Sequence, residues 1–140
     1  DFYLNHTKCI HKEFIFTDSI TASLIKYAIN SFLATKVIFF NELKNIFDNS
    51  GSKEEWSNFI KYISTDKRIG NSHMSVPGHD GKEGFGGACL PKDTSALYKY
   101  AESNGVHLSL IEKVLKLNNN LREKYNKDER EISQNIKYKE

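Results

Sequence analysis

The residues best suited to chemistry in this chain lie in one run, Gly84-Phe85-Gly86-Gly87-Ala88-Cys89-Leu90-Pro91-Lys92-Asp93-Thr94. Glycine lets backbone approach another group closely or adopt positive φ, and proline suits the first helical position. The run therefore predicts a tight loop feeding a helix N-terminus, with Cys89 at the junction. Helix N-termini carry partial positive charge and free N–H groups, conditions that favour thiolate over thiol. Cys89 is thus a candidate nucleophile. Free cysteine is also commonly a small buried residue, so residue type and spacing alone leave both readings open. Asp93 follows four residues later, where an acid also suits a helix N-cap or first turn.

Something must hold this loop, and the strongest helical pattern lies upstream. From about Asp18 to Phe47 there is no Gly or Pro, and Ile20, Leu24, Ile25, Ala28, Ile29, Phe32, Leu33, Val37, Phe40, Leu43 and Phe47 follow helical spacing. Asp18 or Ser19 can cap the start. One helix of ~45 Å is predicted at ~1.5 Å per residue. Its apolar positions spread around more of the circumference than one small domain can cover, which predicts a homodimer formed through this helix. Lys26 and Asn30 lie four apart and share a face; on spacing alone they read as two solvated polar residues.

The rest of the chain reads as shorter helices around a long loop. Ser52 and Glu55 predict a capping box opening a helix to about Ile63, with Trp56, Phe59, Ile60 and Ile63 buried. Residues 66–87 are irregular and contain every glycine except Gly51 and Gly105. A loop of that length inside a compact domain is functional or disordered, and its backbone N–H groups suit phosphate and sugar oxygens. Beyond Asp93 a helix runs through Leu97 and Tyr100 to a stop at Asn104-Gly105. Ser109 and Glu112 predict a second capping box before a helix with Leu110, Ile111, Val114, Leu115, Leu117 and Leu121. The fold class is all-α. Residues 1–17 read as a lead-in, 18–125 as the helical domain and 126–140 as a charged tail or linker. Cys9 with His6 and His11 lacks the fourth ligand of a structural zinc site, so no metal is expected.

Three segments carry a resemblance: LIKYAINSFLATKVIFFNE, then DKRIGNSHMSVPGHDG, then GFGGACLPKDT. In this order and at these separations, over residues 17 to 105, the chain resembles the central region of the UDP-glucose/GDP-mannose dehydrogenase family. The resemblance implies a dimerisation domain. It also implies a parent enzyme that oxidises the primary alcohol of a nucleotide-sugar to a carboxylate in two hydride transfers to NAD. In that scheme Cys89 traps the intermediate aldehyde as a thiohemiacetal and then carries a thioester. Lys26 stabilises developing oxyanions, Asp93 orients or activates water, and Asn30 positions substrate or water. Arg68 reaches substrate across the dimer interface, and the stretch from Ser75 to Gly86, including Gly84 and Phe85, wraps the sugar and diphosphate. Asn30 and Lys26 count among the substrate-binding groups as well.

Composition bounds the alternatives. The chain has 140 residues and a formal charge of +2 from dispersed Lys/Arg and Asp/Glu, which gives no reason to invoke nucleic acid. No run approaches the ~18 consecutive apolar residues of a membrane span, and no signal peptide is visible, so two reduced thiols in the cytoplasm are expected. There is no G-x-G-x-x-G fingerprint; NAD would be bound by flanking Rossmann-type domains, and the fragment alone is expected to be inactive. UDP-glucose is the first choice of substrate, ahead of GDP-mannose and UDP-N-acetylhexosamines. The competing reading is a stand-alone, non-redox dimerisation or nucleotide-sugar-binding module.

Overall fold

The computed structural model describes residues 15–138; the lead-in residues through 14, with Cys9, His6 and His11, lie outside the described part. Five helices follow in order: α1 (Ser19–Asn49), α2 (Trp56–Ile63), α3 (Cys89–Ser103), α4 (Ser109–Arg122) and α5 (Glu129–Ser133), with no strand among the described residues. The all-α expectation holds.

Helix α1 starts where the cap chemistry requires. Asp18 Oδ1 accepts from the N–H groups of Ile20 (2.9 Å) and Thr21 (3.0 Å), satisfying two of the four donors a helix start leaves free. Helix α1 is 31 residues long and packs against α3 and α4. Its length and mean hydropathy of 1.2 over an 18-residue window would by themselves suit a bilayer crossing. Two of its polar residues are engaged inside the domain: Asn30 bonds to α3, and Asn41 Oδ1 accepts from the loop N–H of Gly84.

Two apolar clusters hold the bundle. Ala34, Ile38, Phe85 and Val114 join α1, the glycine loop and α4, with Val37, Leu90 and Leu121 around them. Phe40, Met74 and Val76 form the second, with Trp56, Ile60 and Ile63 of α2. Phe47 stacks near Trp56 (5.4 Å) and Phe59 (4.8 Å), so α2 folds back on the end of α1. Burying a side chain such as Phe40, 2% exposed, contributes about 1.5–3 kcal/mol. Because Met74, Val76 and Phe85 come from residues 66–87, the long loop is nailed to the core at three points.

Neither predicted capping box forms. Ser52 Oγ accepts from Glu54 (3.2 Å), and Glu55 takes the N-cap of α2 without a side-chain bond. Leu108 occupies the N-cap of α4, and Glu112 faces His107 at 3.6 Å. Helix α2 begins three residues later than the pattern suggests, beyond reach of the Ser52 hydroxyl, and α4 begins one residue earlier, which puts Ser109 inside the helix instead of at its cap. A complete capping box appears elsewhere, at Asp128 and Glu131 of α5. The charged stretch after Arg122 therefore folds: Glu131, Ile136 and Tyr138 are all buried, with Glu131 at 0% exposure.

Candidate functional site

Cys89 is the first residue of α3 and is exposed. Pro91 sits two positions inside the helix, where its missing N–H removes one of the donors that a first turn leaves unsatisfied. Gly87, at φ 72°, supplies the left-handed turn just before it. Gly105, at φ 72°, ends α3 as the sequence predicts.

One helical turn along α3, Asp93 is fully buried, and both carboxylate oxygens are occupied. Asn30 of α1 donates to Oδ2 at 2.6 Å, Lys26 Nζ stands 3.6 Å from the same oxygen, and Lys92 Nζ lies 2.5 Å from Oδ1. Burial pushes the Asp93 carboxyl up. The hydrogen bonds from Lys92 and Asn30 and the charges of Lys92 and Lys26 outweigh it and hold the group below the ordinary carboxylate range. Lys92 is shifted the other way, raised by its bond to Asp93. A carboxylate held ionised by three donors is a good anchor and a weak proton acceptor. Among the described residues, the buried Thr94 hydroxyl beside it has no partner, and neither has that of Ser31 on α1.

Cys89 also lines a cleft of about 700 Å³, together with Ser75, His73, His79, Phe85, Gly86 and Arg130. Among the sequence-predicted residues, the cleft therefore gathers Cys89, Ser75, Phe85 and Gly86, while Lys26, Asn30 and Asp93 form the adjoining polar cluster. Arg68 lies outside both. Its side chain is 89% exposed and grips Asp66, with Nη2 2.6 Å from Oδ2. Lys36 holds the turn that follows, donating to the Ile69 carbonyl at 2.9 Å, and its partial burial lowers its pKa. His73, at φ 60°, is lowered by burial and by the charges of Lys36 and His79.

The glycine turn itself is occupied from behind. Asn118 of α4 accepts from Phe85 N–H (2.6 Å) and donates to Phe85 C=O (3.0 Å). Gly84 N–H donates to Asn41 (3.1 Å), and Gly87 N–H to Glu131 Oε1 (3.0 Å). The N–H groups at 84, 85 and 87 thus face protein acceptors, which leaves side chains and the remaining backbone to meet a ligand in the cleft. Residues Asn41, Asn118, Arg122 and Glu131, all buried, were missed at the sequence level. The available signal was polar residues at positions α4 would bury: Asn118 and Arg122 follow Val114 at helical spacing.

The longest helix of this all-α domain thus backs a glycine turn and an exposed cysteine, with a Lys–Asn–Asp cluster beside it. The chain belongs to the UDP-glucose/GDP-mannose dehydrogenase family, matching its central domain over residues 20–120. It is 41% identical over 106 residues to a UDP-glucose 6-dehydrogenase of Rickettsia bellii (strain RML369-C), covering 76% of this chain and 23% of that protein. It is 40% identical over 108 residues to the UDP-glucose 6-dehydrogenase TuaD of Bacillus subtilis (strain 168), covering 77% and 22%. A Rhizobium meliloti (strain 1021) UDP-glucose 6-dehydrogenase is 36% identical over 118 residues, covering 84% and 24%. The chain spans about a quarter of the length of these relatives.

Proposed function

We propose that this chain is the central domain of an NAD-dependent UDP-glucose 6-dehydrogenase, supplying the catalytic thiol, part of the substrate cleft and the dimer interface. The observation that carries the reading is Cys89, exposed at the start of α3 on the wall of the cleft, one turn from a buried carboxylate held by Lys26 and Asn30. The helices described here offer no strand–turn–helix cradle for a dinucleotide. NAD, which would accept the two hydrides, belongs to flanking domains of the parent, and the isolated domain is expected to be inactive.

The residues present have distinct tasks. The Cys89 thiolate attacks the carbonyl carbon of the aldehyde, forming a C–S bond while the C=O electron pair moves to oxygen. Loss of the second hydride, which the dinucleotide would accept, makes this adduct a thioester; water then attacks the same carbon, the C–S bond breaks, the sulfur leaves as thiolate, and the two protons of the water pass to solvent, leaving a carboxylate. Lys26, whose side chain is 60% exposed and tethered through Asp93, is free to turn its ammonium toward the oxyanion at each tetrahedral stage. Asn30 and Asp93 fix its starting position and orient water. Ser75, Phe85 and Gly86 shape the sugar and diphosphate end of the cleft, with Gly84 buried behind them against Asn41, and Arg68 serves a substrate bound by the second protomer. Its exposure and its distance from its own cleft favour that assignment.

Dimer formation is supported by α1. Ile25, Phe32, Phe39 and Ile46 recur every seven residues and are 44%, 68%, 57% and 69% exposed. A seven-residue apolar stripe is the seam of two packed helices. A cytoplasmic location belongs to the same reading, because a reducing compartment keeps Cys89 available as a thiol.

The test is the parent chain with its flanking sequence. NADH formation from UDP-glucose is followed for wild type and Cys89→Ser. Two NADH per sugar in the wild type and a stalled reaction in the variant are expected. Unimpaired full turnover by Cys89→Ser would remove the nucleophile assignment, and no NADH with any nucleotide-sugar would remove the dehydrogenase reading.

A further inference from the structure

Behind the glycine turn lies a buried ionic group that the proposed chemistry does not use. Arg122, 1% exposed, places Nη1 2.7 Å from Asp80 Oδ2 and Nη2 2.7 Å from Glu131 Oε1. Glu131 is completely buried and saturated: Oε1 also accepts from Gly87 N–H (3.0 Å) and Tyr138 OH (2.8 Å), and Oε2 from Asp128 N–H (2.9 Å). The guanidinium stands over the Tyr138 ring, 5.8 Å from its centroid. Asp80 and Gly87 both line the cleft, so one arginine–glutamate pair ties two parts of its lining to α4 and to residues 128–138.

We propose that the Arg122–Glu131 pair positions Cys89, which makes residues 128–138 a working part of the site. The chain of contacts is short. Glu131 holds the Gly87 peptide two residues before the thiol, Arg122 holds Glu131, and Tyr138 and Asp128 lock the carboxylate from the far side. Buried charges held by so many bonds cost desolvation. They give in return a fixed geometry, because a carboxylate accepting four hydrogen bonds has one orientation. Glu131 acts through Gly87, so it is a positioning residue.

The inference rests on Cys89 as nucleophile only for its consequence. Its test needs no turnover, so the two can fail separately. In a Cys9→Ser background of this chain, amide hydrogen exchange and coupling of Cys89 to a bulky maleimide are measured for wild type, Glu131→Gln and Tyr138→Phe. Glu131→Gln removes the charge and keeps the shape; Tyr138→Phe removes one bond and keeps the charge. The Gly87 amide is expected to exchange about tenfold faster or more in Glu131→Gln, the factor lost with one charge-assisted hydrogen bond. Cys89 coupling is expected to rise in parallel as the turn leaves the cleft wall. Amides of α2, at the other end of α1, should keep their wild-type rates. Tyr138→Phe should give the same pattern at smaller amplitude, and it decides the matter if Glu131→Gln does not fold. The proposal is overturned if Cys89 coupling stays at the wild-type rate while Gly87 is freed. It is overturned equally if α2 amides accelerate by the same factor, which would mark a loss of global stability only.

Discussion

Replacing Gly86 by alanine tests whether the glycine turn is shaped by its own backbone or by what lies behind it. Gly86 has an ordinary φ, so backbone strain is not at issue. A Cβ built there would overlap Arg122 Nη2 and Cζ and Glu131 Oε1. The ends of an arginine and a glutamate can usually swing aside. Here both are buried, with Arg122 bonded to Asp80 and Glu131 and Glu131 bonded to three further groups. Making room for one methyl group therefore means separating the pair. Separating a buried pair costs about 3–5 kcal/mol, against a total of about 5–15 kcal/mol for a domain. The expected loss is about 10–20 °C in Tm. Gly81→Ala is the comparison: its φ of 72° strains an L-residue, yet nothing lies within 4 Å, so it should lose only about 1–2 kcal/mol. Urea unfolding of both variants gives the two numbers. Equal losses, or a larger one for Gly81→Ala, would refute the claim that space behind Gly86 is what demands glycine.

Asn118→Ala removes both bonds to the Phe85 peptide inside the core and leaves its N–H and C=O unpaired, so a loss of about 2–4 kcal/mol in urea unfolding is expected. Burial raises Glu131, but bonds from Asp128, Tyr138, Gly87 and Arg122 carry it below its unfolded value of 4.5. Its contribution is thus fully present above pH 4.5 and lost as pH falls through the lowered folded value; Asp93 behaves alike from 3.8 downward. Thermal unfolding should show that acid limb, and Glu131→Gln should make it shallower. Phe32→Lys places a charge in the exposed α1 stripe, and sedimentation of the variant should give a monomer where the wild type gives a dimer.

What the sequence determined by itself were features with local causes. The uninterrupted period from Asp18 onward and the acid that caps it specify α1, because propensity, capping and periodicity agree within one stretch. Asn104-Gly105 ends α3 for the same reason, and the glycine–cysteine–proline run marks the loop-to-helix junction at Cys89. The resemblance was legible too, since three motifs in order are a linear property. Tertiary structure decided the rest. Ser52 and Ser109 look like cap residues until packing sets where α2 and α4 begin. Residues 128–138 look like a charged linker because a sequence shows Glu131 and Arg122 as charges, and only the fold shows that each is buried against the other. The glycines at 84 and 86 could equally have left room for a ligand or for protein. The fold fills that space with Asn118 and the Arg122–Glu131 pair, residues more than thirty positions away, a distance over which no local pattern carries information.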